Sequence, residues 1–286
     1  MVKSTRIGCA LAVSALMVGV GGAARAHHVI DHYKVYNVAD DDPIGVSNVN
    51  VSDQFGSSLL ALQGVNFLAN PVAKQIAPGI PNFPGQLFYP DEHLNWYFIS
   101  PQEPQPPRSI RVDNQFGEQS VDLGDAIFVL LPAIKDNEIS NGGIILNQHF
   151  KCYQAAGAPP GVTVNLQDQF GVMNGVEVGP PSIFCNPAEK TPSGDPGTPS
   201  GPPIYPGEHL TCYDTPMPVA PTAHTFVDQF APHSGQVFDV QWLCVPSYKI
   251  IGAPTLDRSG MVALVGMMAM VGAAGWWVSR RRGVVA

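Results

Sequence analysis

Apolar and polar residues alternate with a period of two along much of the chain. Val49 and Val51 alternate with polar neighbours, as do Ile110 and Val112, and then Val162, Val164 and Leu166. Val237 to Leu243 is a denser run of aromatic and β-branched residues. Successive side chains on a strand point to opposite faces, so such runs predict half-buried strands. Between residues 27 and 250 no stretch keeps a 3.6-residue apolar period over three turns, and residues 57–63 alone are expected to form a short helix. Clusters of Pro and Gly at 77–90, 101–107, 157–161 and 192–207 punctuate the strands, the last being the most linker-like. The pattern predicts three or four strands per unit and an all-β body.

Three phrases recur in fixed order along this alternation. One is Asp53-Gln54-Phe55-Gly56, repeated as Asn114-Gln115-Phe116-Gly117, Asp168-Gln169-Phe170-Gly171 and Asp228-Gln229-Phe230-Ala231. Upstream of each stands His-x-x-x-Tyr, from His32 to Tyr36, His93 to Tyr97, His149 to Tyr153 and His209 to Tyr213. Downstream stands Pro-x-x-Lys, from Pro71 to Lys74, Pro132 to Lys135, Pro187 to Lys190 and Pro246 to Lys249. A shared period of roughly 55–60 residues marks tandem repeats. The repeats are placed at 27–76, 77–137, 138–191 and 192–250. Units of this size bury too little surface to stand alone, so they are expected to pack in pairs as β-sandwich or barrel-like units. The Asp/Asn-Gln-Phe-Gly phrase suits a turn, with Asp or Asn bonding nearby backbone and Gly taking a positive φ. The Phe is then expected to enter the core and the Gln to satisfy backbone groups at the turn.

Cysteine usage follows the repeats. Cys152, Cys185, Cys212 and Cys244 fall at matching places in the third and fourth units, at nearly equal separations. Val35 and Ala69 occupy these places in the first unit, and Trp96 and Leu130 in the second. Both places are Cys together or apolar together, which favours disulfides Cys152–Cys185 and Cys212–Cys244 at a core contact. The fifth cysteine, Cys9, lies in the segment read below as a signal peptide.

Both ends carry addresses. Residues 1–26 have a basic start (Lys3, Arg6), an apolar run and Ala24-Arg25-Ala26, the layout of a secretory signal peptide. Met261 to Val278 is uncharged, carries Trp276-Trp277 near its end and is followed by Arg280, Arg281 and Arg282. It is long enough for one transmembrane helix with the arginines on the cytoplasmic side. Ahead of it stand Pro254, Thr255 and Leu256. This order over residues 253–282 resembles the IPTL-type C-terminal sorting signals of Gram-negative bacteria, with Ala253 where Ile or Val is usual. The resemblance implies a membrane sorting and processing enzyme as partner and removal of the tail on maturation. A retained single-pass anchor is the other reading.

Composition narrows the chemistry. The 286 residues hold 29 Gly and 28 Pro but are only 13% charged, a turn-rich chain without the charge density of disorder. The formal net charge is −8, and setting aside the basic residues of the two ends leaves the rest more acidic still. Nucleic acid and anionic lipid are therefore poor partners. No Gly-x-Ser-x-Gly elbow, His-Glu-x-x-His helix, P-loop or dinucleotide glycine pattern occurs, and no catalytic residue, cofactor or metal is assigned. His32, His93, His149 and His209 recur in every unit, as do Gln54, Gln115, Gln169 and Gln229 and Phe55, Phe116, Phe170 and Phe230. A catalytic group is needed once, so recurrence reads as architecture. Asp40-Asp41-Asp42 does not match an EF-hand spacing and reads as a solvated acidic turn, with a calcium loop as the alternative. Phe83, Phe88 and Tyr89 read as core packing, with a sugar platform as the alternative.

The third and fourth units, with His149-Phe150-Lys151-Cys152-Tyr153, Asp168-Gln169-Phe170-Gly171 and Phe184-Cys185-Asn186-Pro187, resemble an uncharacterised repeat domain of exported bacterial proteins. The resemblance covers 149–249 strongly and 32–135 more weakly. It implies export and architecture, and no activity. The chain is expected to be a non-catalytic component of the cell envelope or extracellular matrix, with a glycan- or calcium-binding module as the alternative.

Overall fold

The computed structural model describes residues 28–41, 46–77, 87–136, 148–192 and 202–250. The segments read as a signal peptide, a transmembrane helix and a sorting signal, together with Asp42, Phe83 and most of 192–207, lie outside them. Among the described residues every regular element is a strand, and no helix is long and apolar enough to cross a membrane.

Each repeat contributes the same three-part unit. The first holds β1 (His32–Asp40), β2 (Val46–Asp53) and β3 (Gly56–Ile76), and the second β4 (His93–Glu103), β5 (Arg108–Asn114) and β6 (Gly117–Lys135). The third holds β7 (His149–Ala156), β8 (Thr163–Asp168), β9 (Gly171–Glu177) and β10 (Pro181–Pro192); here the long third strand is broken in two by Val178-Gly179-Pro180. The fourth holds β11 (His209–Met217), β12 (Thr222–Val227) and β13 (Pro232–Ile250). The His-x-x-x-Tyr phrase opens each first strand, and Pro-x-x-Lys lies at the end of each third one.

The four repeats do not pack in pairs. Their first and third strands alternate around one closed antiparallel ring, β1-β3-β4-β6-β7-β10-β11-β13, and β13 returns to β1. Closure removes the ring's exposed edges, which pairs of small sheets would leave open. At the seam Gly235 lies opposite Asp40, and a Cβ there would stand 2.5 Å from the Ala39 carbonyl oxygen. Only glycine permits that approach. β3 is 21 residues long and would measure about 70 Å if straight. Register shifts at Leu62/Val65 and Val65/Phe67 bend it into the curved wall.

The second strands join opposite sides of the ring. β2 pairs with its own β3 and with the end of β10, and β5 with β6 and β13. In the same way β8 pairs with β9 and β3, and β12 with β13 and β6. Each hairpin thus reaches the repeat two places along. Residues 57–63, expected to be helical, begin β3 instead: Leu60 and Leu62 are buried, while Leu59 is exposed and Ala61 between the two buried leucines is half-buried. Ala, Leu and Gln favour helix locally, but pairing with β2 overrides a weak propensity.

One face of the ring points inward. Phe128 on β6 and Trp242 on β13, on opposite sides, bring their rings within 6.1 Å of each other. Trp96 stacks on Trp242 at 5.5 Å, and Tyr33, Val35, Leu94, Phe150 and Leu210 complete a filled interior. Val35 faces Ala69, Trp96 faces Leu130, Cys152 faces Cys185 and Cys212 faces Cys244 across adjacent strands. The two cysteine pairs form disulfides at that shared interior position.

Candidate functional site

The outer face of the ring carries the recurrent polar residues, gathered into four equivalent junctions. In each hairpin the Gln and Phe form a tight loop, with Asp53 paired to Gly56, Asn114 to Gly117 and Asp168 to Gly171. Those glycines adopt φ of +140°, +98° and +127°, which side chains rarely tolerate. One oxygen of the Asp or Asn accepts the Phe backbone N–H two residues on, at 2.9, 2.9, 3.0 and 2.8 Å in chain order. The turn's own polar groups are therefore satisfied by Asp or Asn, a role the sequence assigned in part to Gln.

The second oxygen reaches across the molecule. Asp53 accepts the Tyr153 hydroxyl (2.7 Å), Asp168 that of Tyr36 (2.7 Å) and Asp228 that of Tyr97 (2.6 Å). Asn114 has an amide there instead and donates to Tyr213 oxygen (2.9 Å), so the Tyr213 proton turns to Gln119. The neighbouring Phe stands edge-on to the same tyrosine, with centroids at 5.2 Å for Phe55–Tyr153, 5.2 Å for Phe116–Tyr213, 4.9 Å for Phe170–Tyr36 and 5.7 Å for Phe230–Tyr97. Every such pair joins repeats two places apart.

The preceding repeat supplies the rest. Lys249 lies over Phe55 (5.2 Å), Lys74 over Phe116 (3.9 Å), Lys135 over Phe170 (5.8 Å) and Lys190 over Phe230 (4.3 Å), a cation–π contact at every junction. Gln115 donates to His32, and Gln229 to His149 at 3.0 Å. Gln54 instead meets Asn186 and Lys249, and Gln169 is exposed. Burial, with the repeat's own lysine adding to it, holds the histidines neutral: His93 and His209 fall to about 4 and His149 to about 3, and His32 is lowered well below its ordinary value. A neutral imidazole is what the donated amide N–H requires. Burial also lowers Lys190 to about 8.

Two further positions belong to this arrangement and escaped the sequence reading. The residue before each histidine is Asp31, Glu92, Gln148 or Glu208, all buried. Asp31 accepts the N–H groups of Phe88 and Tyr89 (2.9 and 2.7 Å), Gln148 that of Tyr205 (3.0 Å) and Glu208 that of Val29 (3.2 Å), holding the chain entering the next repeat. The shared carboxylate or amide at this place was visible once the units were aligned. The third residue after each Phe, namely Ser58, Gln119, Met173 or His233, differs in every unit, so no recurrence marks it. Each meets the opposite repeat: Ser58 meets Lys151 (2.9 Å), Gln119 meets Tyr213, Met173 meets Lys34 (3.6 Å) and His233 meets Tyr97 (2.9 Å).

The other sequence candidates fall elsewhere. The Asp40 side chain is buried beside His233 (3.2 Å), Asp41 is exposed, and Asp42 lies outside the described residues. Among the described residues no three metal-ligating side chains converge. Tyr89 turns inward to the barrel's interior cluster and meets the Tyr205 hydroxyl at 3.2 Å, so Phe88 and Tyr89 do not share a platform. An open cleft of about 690 Å³ lies where the third repeat's long strand breaks, lined by Met173, Asn174, Glu177, Asp214 and Thr215 among others. No curated protein and no solved structure matches the chain. The model of one family, described as a repeat of unknown function (DUF7450), matches residues 93–246, more than half of the chain, and the protein belongs to that family.

Proposed function

We propose that the protein is an exported, envelope-anchored or surface-released barrel that serves as a non-catalytic structural component. The observation that carries this reading is the use made of the recurrent residues. His, Tyr, Asp or Asn, Phe and Lys of each repeat join that repeat to two others, and His93, His149 and His209 sit buried and neutral instead of lining a cleft. Closure of the ring, and disulfides inside it, suit a protein that persists outside the cytoplasm. The basic-apolar start, the Pro254-Thr255-Leu256 phrase, the uncharged run 261–278 and the three arginines supply the export and anchoring part of the proposal. A sorting enzyme of the membrane is the partner they imply.

Intact mass and compartment of the mature protein test it. A surface or secreted species lacking residues 1–26 and the tail beyond about Leu256 supports export with sorting. A species keeping 261–286 in the inner membrane makes it a tethered periplasmic barrel, and an intact cytoplasmic chain overturns export. The ligand-binding alternative has one specific support, the cleft around Asn174, Glu177 and Asp214. A glycan or calcium ion that raises the melting temperature of the protein, and fails to do so after Asp214→Ala, would favour it.

A further inference from the structure

Phe88-Tyr89-Pro90 and Ile204-Tyr205-Pro206 are equivalent segments that lead into β4 and β11 from opposite sides of the ring. In each the tyrosine turns inward to the barrel's interior cluster, and the two hydroxyls meet at 3.2 Å. The preceding apolar residue is left half exposed, Phe88 at 52% and Ile204 at 47%. Neither segment is held loosely. Asp31 accepts the backbone N–H groups of Phe88 and Tyr89, and Gln148 both accepts from and donates to the Tyr205 backbone at 3.0 and 3.1 Å. Two large apolar side chains are thereby fixed at the end of the barrel where the first strands begin and the long strands finish.

The chain enters and leaves at that same end. His28 stacks on Tyr248 at 4.3 Å, and both bond Glu208, three residues beyond Tyr205. β13 ends at Ile250, and only residues 251–260 separate it from the uncharged run that starts at Met261. Ten residues reach at most about 35 Å when fully extended. A tail that spans the bilayer therefore holds this end of the barrel close to the lipid surface.

We infer that the Phe88–Ile204 end of the barrel docks on the neutral lipid surface from which the tail emerges, seating the two side chains among the headgroups. This rests on the anchored reading above. The acidic body makes a zwitterionic surface the compatible one, since an anionic surface would repel it. Apolar side chains set at a rigid tip gain by leaving water for the headgroup–acyl boundary, and the tether lowers the entropic cost of that contact.

The test uses the full chain reconstituted through its own tail into phosphatidylcholine vesicles. A photo-crosslinking phenylalanine analogue replaces Phe88, Ile204, Leu59 or Val172 in turn, all four being exposed apolar positions. Lipid adducts at 88 and 204, with none above background at 59 and 172, are expected. Equal labelling of all four, or none at 88 and 204, in a chain that resists alkaline carbonate extraction overturns the docking and leaves the anchor standing. A chain that carbonate washes from the vesicles overturns the anchor and the docking together.

Discussion

At the scale of single residues, the junctions are built from groups that are costly to leave alone. Lys34 and Asp168 form an ion pair at 2.9 Å with neither side chain exposed, and Asp168 also takes the Tyr36 hydroxyl and caps its own turn. Asp168→Ala leaves a buried ammonium without its counter-charge, and a loss of about 3–5 kcal/mol is expected in urea unfolding. Lys34→Met should cost less, because Asp168 keeps its other two donors. The histidines predict a pH dependence. Their folded values lie below the ordinary 6.5, so the unfolded chain binds more protons between that value and the folded one. Stability is complete above about pH 6.5 and falls as the pH drops toward 4, by up to about 1.4 kcal/mol per pH unit for each histidine. Urea midpoints measured from pH 7 to 4 should show that slope, and His149→Asn should flatten it.

At the scale of elements, the repeated turn was legible in the sequence and its partners were not. Asp or Asn with Gly marks a hairpin because those residues meet local backbone demands. The tyrosine that receives the turn lies about a hundred or more residues away, and local chemistry carries no record of it. Gly171→Ala should cost about 1–3 kcal/mol through backbone strain alone, since open space surrounds the position. Ala231, already non-glycine in the fourth hairpin, should tolerate exchange to Gly with little change in melting temperature. The disulfides make a second prediction at this scale. Cys152→Val with Cys185→Ala recreates the Val35–Ala69 contact of the first repeat, so the chain should still fold, weakened by about 2–5 kcal/mol. Circular dichroism and thermal melts distinguish that outcome from collapse of the fold.

At the scale of the molecule, the repeats form a ring and not a stack. In a linear array each unit touches only its neighbours, and stability falls off unit by unit. Here every repeat also clasps the one opposite through its hairpin, so no repeat has a complete core of its own. Calorimetric and van't Hoff enthalpies of unfolding should therefore agree, as for one cooperative unit. Deleting residues 202–250 would remove β11, β12 and β13, opening the ring on both flanks and stripping β5 of its outer partner. Such a chain should show no cooperative melt, whereas a linear array would keep one.

The sequence by itself determined the strand class, the four-unit period, the turn positions and the cysteine partners. Each follows from alternation, recurrence or the joint presence and absence of two residues, all of which are local or internal comparisons. It also marked His32, His93, His149 and His209 as equivalent positions, by recurrence alone. What only the tertiary structure decided is where each hairpin goes and what closes the ring. Residues 57–63 became strand because β2 lies beside them, and Gln54 and Gln115 found different partners because their junctions differ. The varied set Ser58, Gln119, Met173 and His233 could not be read from recurrence, because these side chains match the opposite repeat and not one another. Long-range contacts select such residues one pair at a time, and a periodic pattern has no place to show them.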